Sequence, residues 1–416
     1  MAQTTPARPG AVEPPSPGRS RAGSLLGQWD SAVTSYYVLT GATALLIVLG
    51  LVMVLSSSSV ESLAANESPY AVFVTQAQFA LIGVPVMFVA SRLPQRFYTR
   101  IAWPALAVAA VLQLLTLTPL GLSAGGNRGW IGFGSFTMQP AEVVKLALAA
   151  WLGAVLARKR ALLGEWRHAL VPAVPVSVLM VGLVMLGHDL GTALVLIVLV
   201  AGALFIAGIP LRVFGFAGAI AAVGVAALTI PSANRRKRIF SWLSDECDIT
   251  NECYQSEHGI RALATGGWGG VGLGGSAEKW SYLPEAHNDF IFAIIGEELG
   301  LIGTLLVLGL FTLLALAMFR IIRRHPDPSV KITTGAVACW VIGQALVNVG
   351  VVIGLVPIIG VPLPLVSAGG SALIVTMTAL GMVISFARAE PGAAEALAAR
   401  PHVVRRSLAV LGRIRA

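Results

Sequence analysis

Ten stretches of roughly 20 mainly apolar residues recur along the chain, and each is long enough to cross a bilayer as an α-helix. Hydrophobic residues make up 56% of the 416 and charged residues only 12%, which excludes an ordinary soluble domain. We predict an all-α polytopic membrane protein with about ten transmembrane helices. The predicted spans are 35–56, 71–91, 101–120, 140–157, 169–187, 190–209, 213–230, 289–319, 331–353 and 370–388.

The segments outside the spans differ in length and composition. Residues 1–34 are rich in Pro, Gly, Ala, Ser and Arg, so we expect a disordered cytoplasmic tail without a cleavable signal peptide. Residues 35–388 form the membrane domain, in which 231–288 is the only long connection, an extracytoplasmic loop between helices seven and eight. Residues 389–416 are expected to form a short, basic cytoplasmic tail.

The basic residues predict the orientation of the chain. The formal net charge is +9, but the Lys and Arg residues cluster between apolar spans instead of forming one face, so no nucleic acid partner is expected. With the N-terminus inside, 21 of the 29 Lys and Arg residues fall on the inner side. Both termini are therefore predicted to be cytoplasmic, and Asp289 faces outward.

Asp289 lies where a polar segment, LPEAHND, meets the apolar run FIFAIIG. A carboxylate at the mouth of a hydrophobic span is costly to ionise, because the low dielectric raises its pKa. Asp289 is therefore a candidate general base. The alternative is that Asp289 is the N-cap of a helix beginning at Phe290, a position that Asp favours. The residues alone leave both interpretations open.

A second polar group is predicted on the same side of the membrane. Glu142 and Lys145 are three residues apart at the start of the fourth span and share a helix face. Unpaired ionisable groups in a membrane are costly, so the two indicate either a site or a structural ion pair. Arg128 and Trp130 precede them, and these side chains could grip an anionic head group and stack on a sugar.

Two further outward segments carry charge. His188 and Asp189 either line a cavity or, as is commoner, form a tight turn with Asp189 as its cap. The basic run 235–238, which includes Arg235 and Arg238, lies on the side that the positive-inside rule disfavours. It either contacts outer-leaflet phosphates or is a solvated run of charges.

The long loop contains a glycine-rich core, GGWGGVGLGGS, at 266–276. Trp268 and its apolar neighbours favour an ordered re-entrant or interfacial element over the alternative, a flexible linker. Cys247 and Cys253 lie in the same exported loop, where a disulfide is plausible. Cys339 lies in a span and is interpreted as a small core residue. No metal-ligand spacing is present, so a zinc or iron–sulfur site is not expected.

The segment GLVPIIGVPLPLVSAGGS, 354–371, follows the ninth span. Its prolines forbid a regular helix, and non-helical backbone at membrane depth survives only where protein or a cavity covers it. We predict a broken segment that lines a cavity. Asn348, shortly before it, adds a polar group inside a span.

The chain resembles the SEDS family (shape, elongation, division, sporulation) over about 35–388, and most closely its cell-division members. The resemblance implies a ten-helix peptidoglycan glycosyltransferase of the bacterial plasma membrane, at the division septum. It implies that the chain polymerises lipid II with a class B penicillin-binding protein of the FtsI type and other divisome proteins. The segments that carry the resemblance are GWIGFGSFTMQPAEVVKL, HDLGTA, YQSEHGIRALATGGWGGVGLGGS, LPEAHNDFIFAIIGEELGLIG and GLVPIIGVPLPLVSAGGSALI.

The family motifs map onto this sequence with some departures. A pattern like EAHTDFIF holds the family's essential aspartate and reads EAHNDFIF here, which assigns that role to Asp289. The Arg-Trp-Ile pattern matches Arg128 and Trp130 with a glycine inserted. The QPSE pattern reads QPAE and keeps Glu142, and the PLPFISYGG-like pattern reads PLPLVSAGG and keeps Ser367. The DECDITNEC insertion is not part of the general pattern.

The expected mechanism is an inverting transfer in which Asp289 deprotonates the acceptor sugar's hydroxyl, which then displaces undecaprenyl diphosphate. The leaving diphosphate needs positive charge. No cofactor is certain, and a divalent cation, Mg²⁺ or Mn²⁺, stays open although no ligand cluster is evident. Residues His287, Glu298 and Asn348 are expected to line the cavity, with a structural pair as the alternative for Glu298. The candidate cations are Arg128, Lys145, Arg261, Arg235 and Arg238.

Two other functions fit the same features. A lipid II flippase or transporter would also need an amphipathic cavity and intramembrane charges, but it predicts two repeated halves, and no internal repeat is evident. A non-catalytic divisome scaffold would need no base at all.

Overall fold

The computed structural model describes residues 31–64, 66–124, 127–133, 136–162, 165, 168, 170–230, 254–280 and 282–399. The N-terminal tail 1–30, the basic run 235–238 with Arg235 and Arg238, and the cysteines Cys247 and Cys253 lie outside these residues. The predictions made for them are not tested here. Part of each predicted flanking tail, 31–34 and 389–399, is described.

The described residues are mainly helical, as predicted, and each of the ten predicted spans corresponds to one helix. Seven helices are long and apolar enough to cross a membrane, and two of the others, α5 and α6, are shorter apolar helices. The helices are α1 (Thr34–Ala64), α2 (Ala71–Ala90), α3 (Gln95–Leu115), α4 (Pro140–Arg158), α5 (Ala173–Leu186), α6 (Leu190–Ile206), α7 (Leu211–Thr229), α8 (Tyr254–Gly266), α9 (Ile291–Arg324), α10 (Pro328–Val352), α11 (Ser371–Arg388) and α12 (Ala393–Ala399).

The helices pack around α4 and α11, the most deeply buried spans of the bundle. Helix α4 contacts α3 and α10, and α11 contacts α2 and α1. Helix α10 also packs on α6, and α9 packs on α1 and α8. Hydrogen bonds join Gln139, just before α4, to Asp189, just before α6, and Asn348, near the end of α10, to Asp289, just before α9.

A small antiparallel sheet precedes α4, and the sequence did not predict it. Its strands are β1 (Gly121–Ala124), β2 (Asn127–Phe133) and β3 (Phe136–Met138), in the order β1-β2-β3. Ile131 pairs with Gly121 on one side and with Met138 on the other. The predicted helical fold is confirmed, and this loop adds a short sheet that the sequence did not indicate, because short strands among glycines give little periodicity.

Helix α9 is broken at Gly300, where φ is 66° and ψ is −162°. Only glycine adopts this backbone conformation readily. The break divides α9 into an upper half, 291–299, and a lower half, 301–324. The predicted span 289–319 therefore corresponds to one helix with a break inside it.

The glycine-rich segment 266–276 packs against this break. The prediction of an ordered element is therefore confirmed, and the alternative of a flexible linker is not. A broken helix leaves amides and carbonyls without intrahelical partners, and the segment supplies partners for them. The hydrogen bonds are Val271 N to Glu297 O (2.9 Å), Gly272 N to Glu298 O (3.0 Å), Leu301 N to Gly267 O (2.9 Å) and Ile302 N to Trp268 O (3.3 Å).

Replacing Gly300 with Ala is expected to destabilise the protein. The new Cβ would lie 2.6 Å from the carbonyl oxygen of Trp268, against backbone that cannot give way easily, at a positive φ. Strain of this kind costs about 1–3 kcal/mol. Thermal unfolding in detergent micelles would measure the loss.

Gly309→Ala is the matched control on the same helix, because a Cβ there would meet nothing within 4 Å. Ala is favoured over Gly within a helix by about 0.5–1 kcal/mol, so this variant should melt at the same temperature as the wild type or higher. Equal melting temperatures for the two variants would contradict the proposed role of the break.

Candidate active site

Three successive backbone carbonyls, those of residues 287–289, are each held by a group from the last third of the chain. In chain order they accept hydrogen bonds from the Ala368 amide (3.0 Å), the Ser367 hydroxyl (2.6 Å) and the Asn348 side-chain amide (2.7 Å). Ser367 and Asn348 are themselves buried. The backbone that carries Asp289 is therefore fixed before α9 begins.

The Asp289 side chain is left without a protein partner. It lies just before the membrane-spanning helix and is only partly exposed, and among the described residues it forms no hydrogen bond or ion pair. Helix α9 begins at Ile291, its N-cap residue is Phe290, and no side chain caps it. The alternative that Asp289 serves as the N-cap is therefore not supported.

The environment of Asp289 raises its pKa from 3.8 to about 7. Burial is the largest cause, because a low dielectric disfavours the ionised form. The negative charges of Glu285 and then Asp189 add to the shift. A carboxyl group with a pKa near 7 exchanges protons readily at neutral pH, which is what general acid–base chemistry requires.

Asp189 forms the predicted cap at the turn before α6. Its Oδ1 accepts the Thr192 amide (2.9 Å), and its Oδ2 accepts the Thr192 hydroxyl (2.8 Å) and the Gln139 side-chain amide (3.0 Å). The prediction of a capped turn is therefore confirmed. The negative charge of Asp189 also adds to the rise in the pKa of Asp289.

Strand β2 lies over the turn that carries Asp189. The Arg128 amide donates to the Gly187 carbonyl (2.8 Å), and the half-buried Arg128 guanidinium donates to the Thr118 carbonyl (2.8 Å). A Cβ built at Gly129 would lie 3.7 Å from Asp189 Oδ2. The glycine inserted between Arg128 and Trp130 therefore lies beside this carboxylate, at a distance where a Cβ would make an ordinary van der Waals contact.

Glu142 and Lys145 form a buried ion pair with an N–O distance of 2.7 Å. The Lys145 ammonium also donates to Gln344 Oε1 (3.1 Å) and lies 4.9 Å from the Trp340 ring centroid. Gln344 donates in turn to the Pro362 carbonyl (2.8 Å) in the broken segment. Because Lys145 is enclosed on all these sides, we assign the pair to supporting that segment and not to binding diphosphate.

Ser367, which the family pattern keeps, makes its hydrogen bonds within the protein. Its hydroxyl donates to the Asn288 carbonyl and accepts the Leu363 amide (2.8 Å). The hydroxyl is therefore already engaged within the protein and holds the broken segment against the segment before α9. Asn348 likewise bridges the Asp289 and Val361 carbonyls.

Glu298 does not line an open cavity, and that expectation is corrected. Its carboxylate is 1% exposed, pairs with Lys279 (3.0 Å) and accepts the Ser56 hydroxyl (2.6 Å). Desolvation makes a buried carboxylate costly unless such partners surround it. The alternative of a structural pair therefore holds.

Of two further predicted residues, Arg261 is exposed and His287 is largely buried, with 14% of its side chain exposed. Arg261 pairs with Glu257 on the exposed face of α8 at 3.0 Å. His287 Nδ1 lies 2.9 Å from an oxygen of the exposed Glu61 carboxylate, without hydrogen-bond alignment. Each of these side chains is therefore placed beside another carboxylate, Glu257 or Glu61, and not beside that of Asp289.

Gln76 is a residue of the site that sequence reasoning missed. Its amide donates to the Ser367 carbonyl (3.2 Å), and its Oε1 accepts the amides of Gly369 and Gly370 (3.2 Å each). The available signal was that Gln76 is one of two glutamines in the apolar helix α2, where a side-chain amide needs partners. The local sequence pattern could not predict these partners, because they lie almost 300 positions later in the chain.

The fold and the site define a multi-pass membrane protein with a partly buried carboxylate, Asp289, at one end of its bundle. A family model described as "Cell cycle protein", FTSW_RODA_SPOVE, matches residues 37–391. The chain belongs to this FtsW/RodA/SpoVE family.

Named relatives agree with the family. The probable peptidoglycan glycosyltransferase FtsW of Mycobacterium tuberculosis is 42% identical over 394 residues, 94% of this chain and 75% of the relative. Stage V sporulation protein E of Bacillus subtilis is 35% identical over 349 residues, 83% of this chain and 95% of the relative.

Solved structures agree as well. A chain of a peptidoglycan synthase complex, studied for the coordination of polymerization and crosslinking, has a TM-score of 0.69 and 27% identity. The match covers 84% of this chain and 97% of that one. The rod shape determining protein RodA of Thermus thermophilus has a TM-score of 0.64 and 28% identity, covering 85% and 97%.

Breaking the Glu142–Lys145 pair tests its structural role. Lys145→Met leaves Glu142 buried without its partner, which typically costs about 3–5 kcal/mol, so the unfolding temperature should fall sharply. The double variant Glu142→Gln, Lys145→Met removes both charges and should recover part of the loss. A Lys145→Met protein that melts like the wild type would contradict the assignment.

Proposed function

We propose that this peptidoglycan glycosyltransferase polymerises lipid II by an inverting transfer in which Asp289 is the general base. The observation that carries the proposal is the Asp289 carboxylate. It is partly buried and has no partner among the described residues, while the backbone on which it sits is held by three hydrogen bonds. A group fixed in position but free to accept a proton suits a base.

In the proposed step, the acceptor's sugar hydroxyl gives its proton to Asp289, and its oxygen forms a bond to the anomeric carbon of the lipid-linked donor. The bond from that carbon to the diphosphate oxygen breaks, and undecaprenyl diphosphate leaves with the electron pair. A hydroxyl is a poor nucleophile at neutral pH, and a positioned base typically contributes ~10²–10⁴-fold.

The leaving diphosphate carries growing negative charge, which positive groups stabilise. Arg128 is the best placed of the predicted cations among the described residues, because β2 holds it over the turn that carries Asp189. Lys145 is enclosed by its own partners, and Arg261 is paired on the exposed face of α8. Arg235 and Arg238 stay in the proposal as further contacts for the diphosphate or for lipid phosphates.

A divalent cation, Mg²⁺ or Mn²⁺, is assigned no step in this mechanism. Among the residues that the structure describes, no group of three or more His, Cys, Asp or Glu could hold one. Both oxygens of Asp189, the carboxylate that acts on Asp289, already accept hydrogen bonds.

The finer cellular role is a second part of the proposal. We propose that the chain acts in septal synthesis during division, with both termini in the cytoplasm, and pairs with a class B penicillin-binding protein of the FtsI type. The similarity to a chain of a peptidoglycan synthase complex and to proteins named FtsW supports this assignment. The flippase and the scaffold are the competing functions, and neither needs a base at Asp289.

Asp289→Asn is expected to lower the rate of lipid II polymerisation by at least ~10²-fold, because the amide cannot accept the proton. The measurement is glycan-strand formation by purified protein, with and without its partner synthase. A variant that polymerises at the wild-type rate would overturn the assignment. Loss of lipid movement with normal polymerisation would favour the flippase instead.

The same variant should remain folded. The pKa of Asp289 is higher in the folded protein than its ordinary value of 3.8, so above about pH 7 the ionised carboxylate disfavours folding. The neutral amide removes that cost. Asp289→Asn should therefore melt at pH 8 at the wild-type temperature or above it.

The polymerisation rate should rise with pH through about 7, where Asp289 loses its proton, and then level off. Asp189→Asn removes one of the negative charges that raise the pKa of Asp289, while Asn can still cap α6. The midpoint of the rate profile should move to lower pH. Glu395→Gln, an exposed change on α12, is the control and should leave the midpoint in place; a midpoint unmoved by Asp189→Asn would contradict the account.

A further inference from the structure

The glycine-rich segment 266–276 is not used by the mechanism above, yet it carries large exposed apolar side chains. Trp268 is 79% exposed and Leu273 is 60% exposed, and Val271 lies between them. In water such a cluster would be costly, and it marks a surface that contacts something apolar.

Residues 262–277 contain no ionisable side chain. This run of uncharged residues includes the end of α8 and the whole glycine-rich segment. Charged residues resume only at Glu278 and Lys279, and Lys279 turns inward to pair with Glu298. The exposed part of the segment is therefore compatible with hydrocarbon, which charges would avoid.

The backbone of the segment is also compatible with a lipid environment, where every unsatisfied amide or carbonyl is costly. Four hydrogen bonds join it to the break in α9. Two others close turns within it, Gly270 N to Gly266 O (2.9 Å) and Gly275 N to Gly272 O (3.0 Å). Gly270 approaches the Glu298 carbonyl so closely, at a φ of 80°, that a side chain could not be accommodated there.

The position of the glycine-rich segment beside α9 indicates which environment contacts its exposed side chains. Gly267 and Trp268 are bonded to Leu301 and Ile302, the first residues of the lower half of α9. Both of these side chains are exposed, and so are Leu305 and Leu306 further along the same span. The lower half, 301–324, is long enough to cross a bilayer. The apolar surface of the segment therefore continues the lipid-facing surface of a membrane span.

We propose that residues 267–273 form a membrane-contact tip that inserts among the lipids of the leaflet nearer Asp289. The tip is surrounded by the interfacial and upper acyl-chain region of the phospholipids. Trp is favoured in this region because its ring is amphipathic. Helix α8 leads down to the tip, and the chain returns through the Lys279–Glu298 ion pair, where Ser56 of α1 also binds. The tip is therefore rigidly joined to α1 and α9.

The tip has a consequence for the site. The upper half of α9 separates Asp289 from the tip by roughly 15 Å along the helix axis, at about 1.5 Å per residue. Anchoring the tip in the membrane would fix the height of the carboxylate above the hydrocarbon, where the sugars of a lipid-linked substrate lie. This consequence depends on the proposed function, whereas the membrane contact itself does not.

Depth measurements by spin labelling test the proposal. A nitroxide is attached at Leu273→Cys in a background without native cysteines, in nanodiscs of phosphatidylethanolamine and phosphatidylglycerol that hold one copy each. Collisions with oxygen and with a water-soluble nickel chelate are compared. Labels at Leu305→Cys, on the lipid face of α9, and at Glu67→Cys, in an exposed connection, give the two reference values.

We expect the oxygen-to-nickel ratio at position 273 to lie within about threefold of that at position 305 and at least tenfold above that at position 67. A ratio like that at position 67 would place the tip in water and overturn the proposal. Shielding from both reagents would show that protein covers the tip, and that too would overturn it. Val271→Cys repeats the test if the first variant does not fold, and neither outcome depends on catalytic activity.

Discussion

The hydrogen bonds to the carbonyls of residues 287–289 are the constraint on which the site depends. They come from α10 and from the broken segment after it. The segment just before α9 is therefore held in place by residues that lie 59 to 81 positions later in the sequence. Backbone bonds fix the segment without occupying the Asp289 side chain. The carboxylate can therefore be held in place and still be available to accept a proton.

Other buried carboxylates in the bundle differ from Asp289 because they have hydrogen-bond or ion-pair partners. Glu142, Glu297 and Glu298 are buried, and each has a cation, a hydroxyl or an amide against it. Partners of this kind offset the cost of burial and make these groups structural supports. Asp289 has no hydrogen bond or ion pair with the residues that the structure describes, and the negative charges of Glu285 and Asp189 raise its pKa in addition to burial. The contrast between paired and unpaired carboxylates distinguishes the base from the supports.

The sequence predicted the parts of this arrangement that depend on local pattern. Hydropathy located all ten spans, and proline content identified the broken segment after α10. The junction of LPEAHND with an apolar run identified Asp289. Long-range partners could not be predicted, because nothing local says that Ser367 and Gln76 meet beside Asn288. The sheet before α4 and the break at Gly300 were missed for a similar reason: both depend on a few glycines whose conformation is set by contacts with distant segments.

The most direct test of the central claim is an infrared titration of the Asp289 carboxyl group itself. The carbonyl stretch of a protonated carboxylic acid is followed against pH in the wild-type protein, and the band absent from the Asp289→Asn spectrum is assigned to this residue. The account predicts that the band disappears with a midpoint near pH 7, where the pKa is placed by burial and the two negative neighbours. A midpoint below pH 5 would mean a solvated or paired carboxylate and would contradict the account.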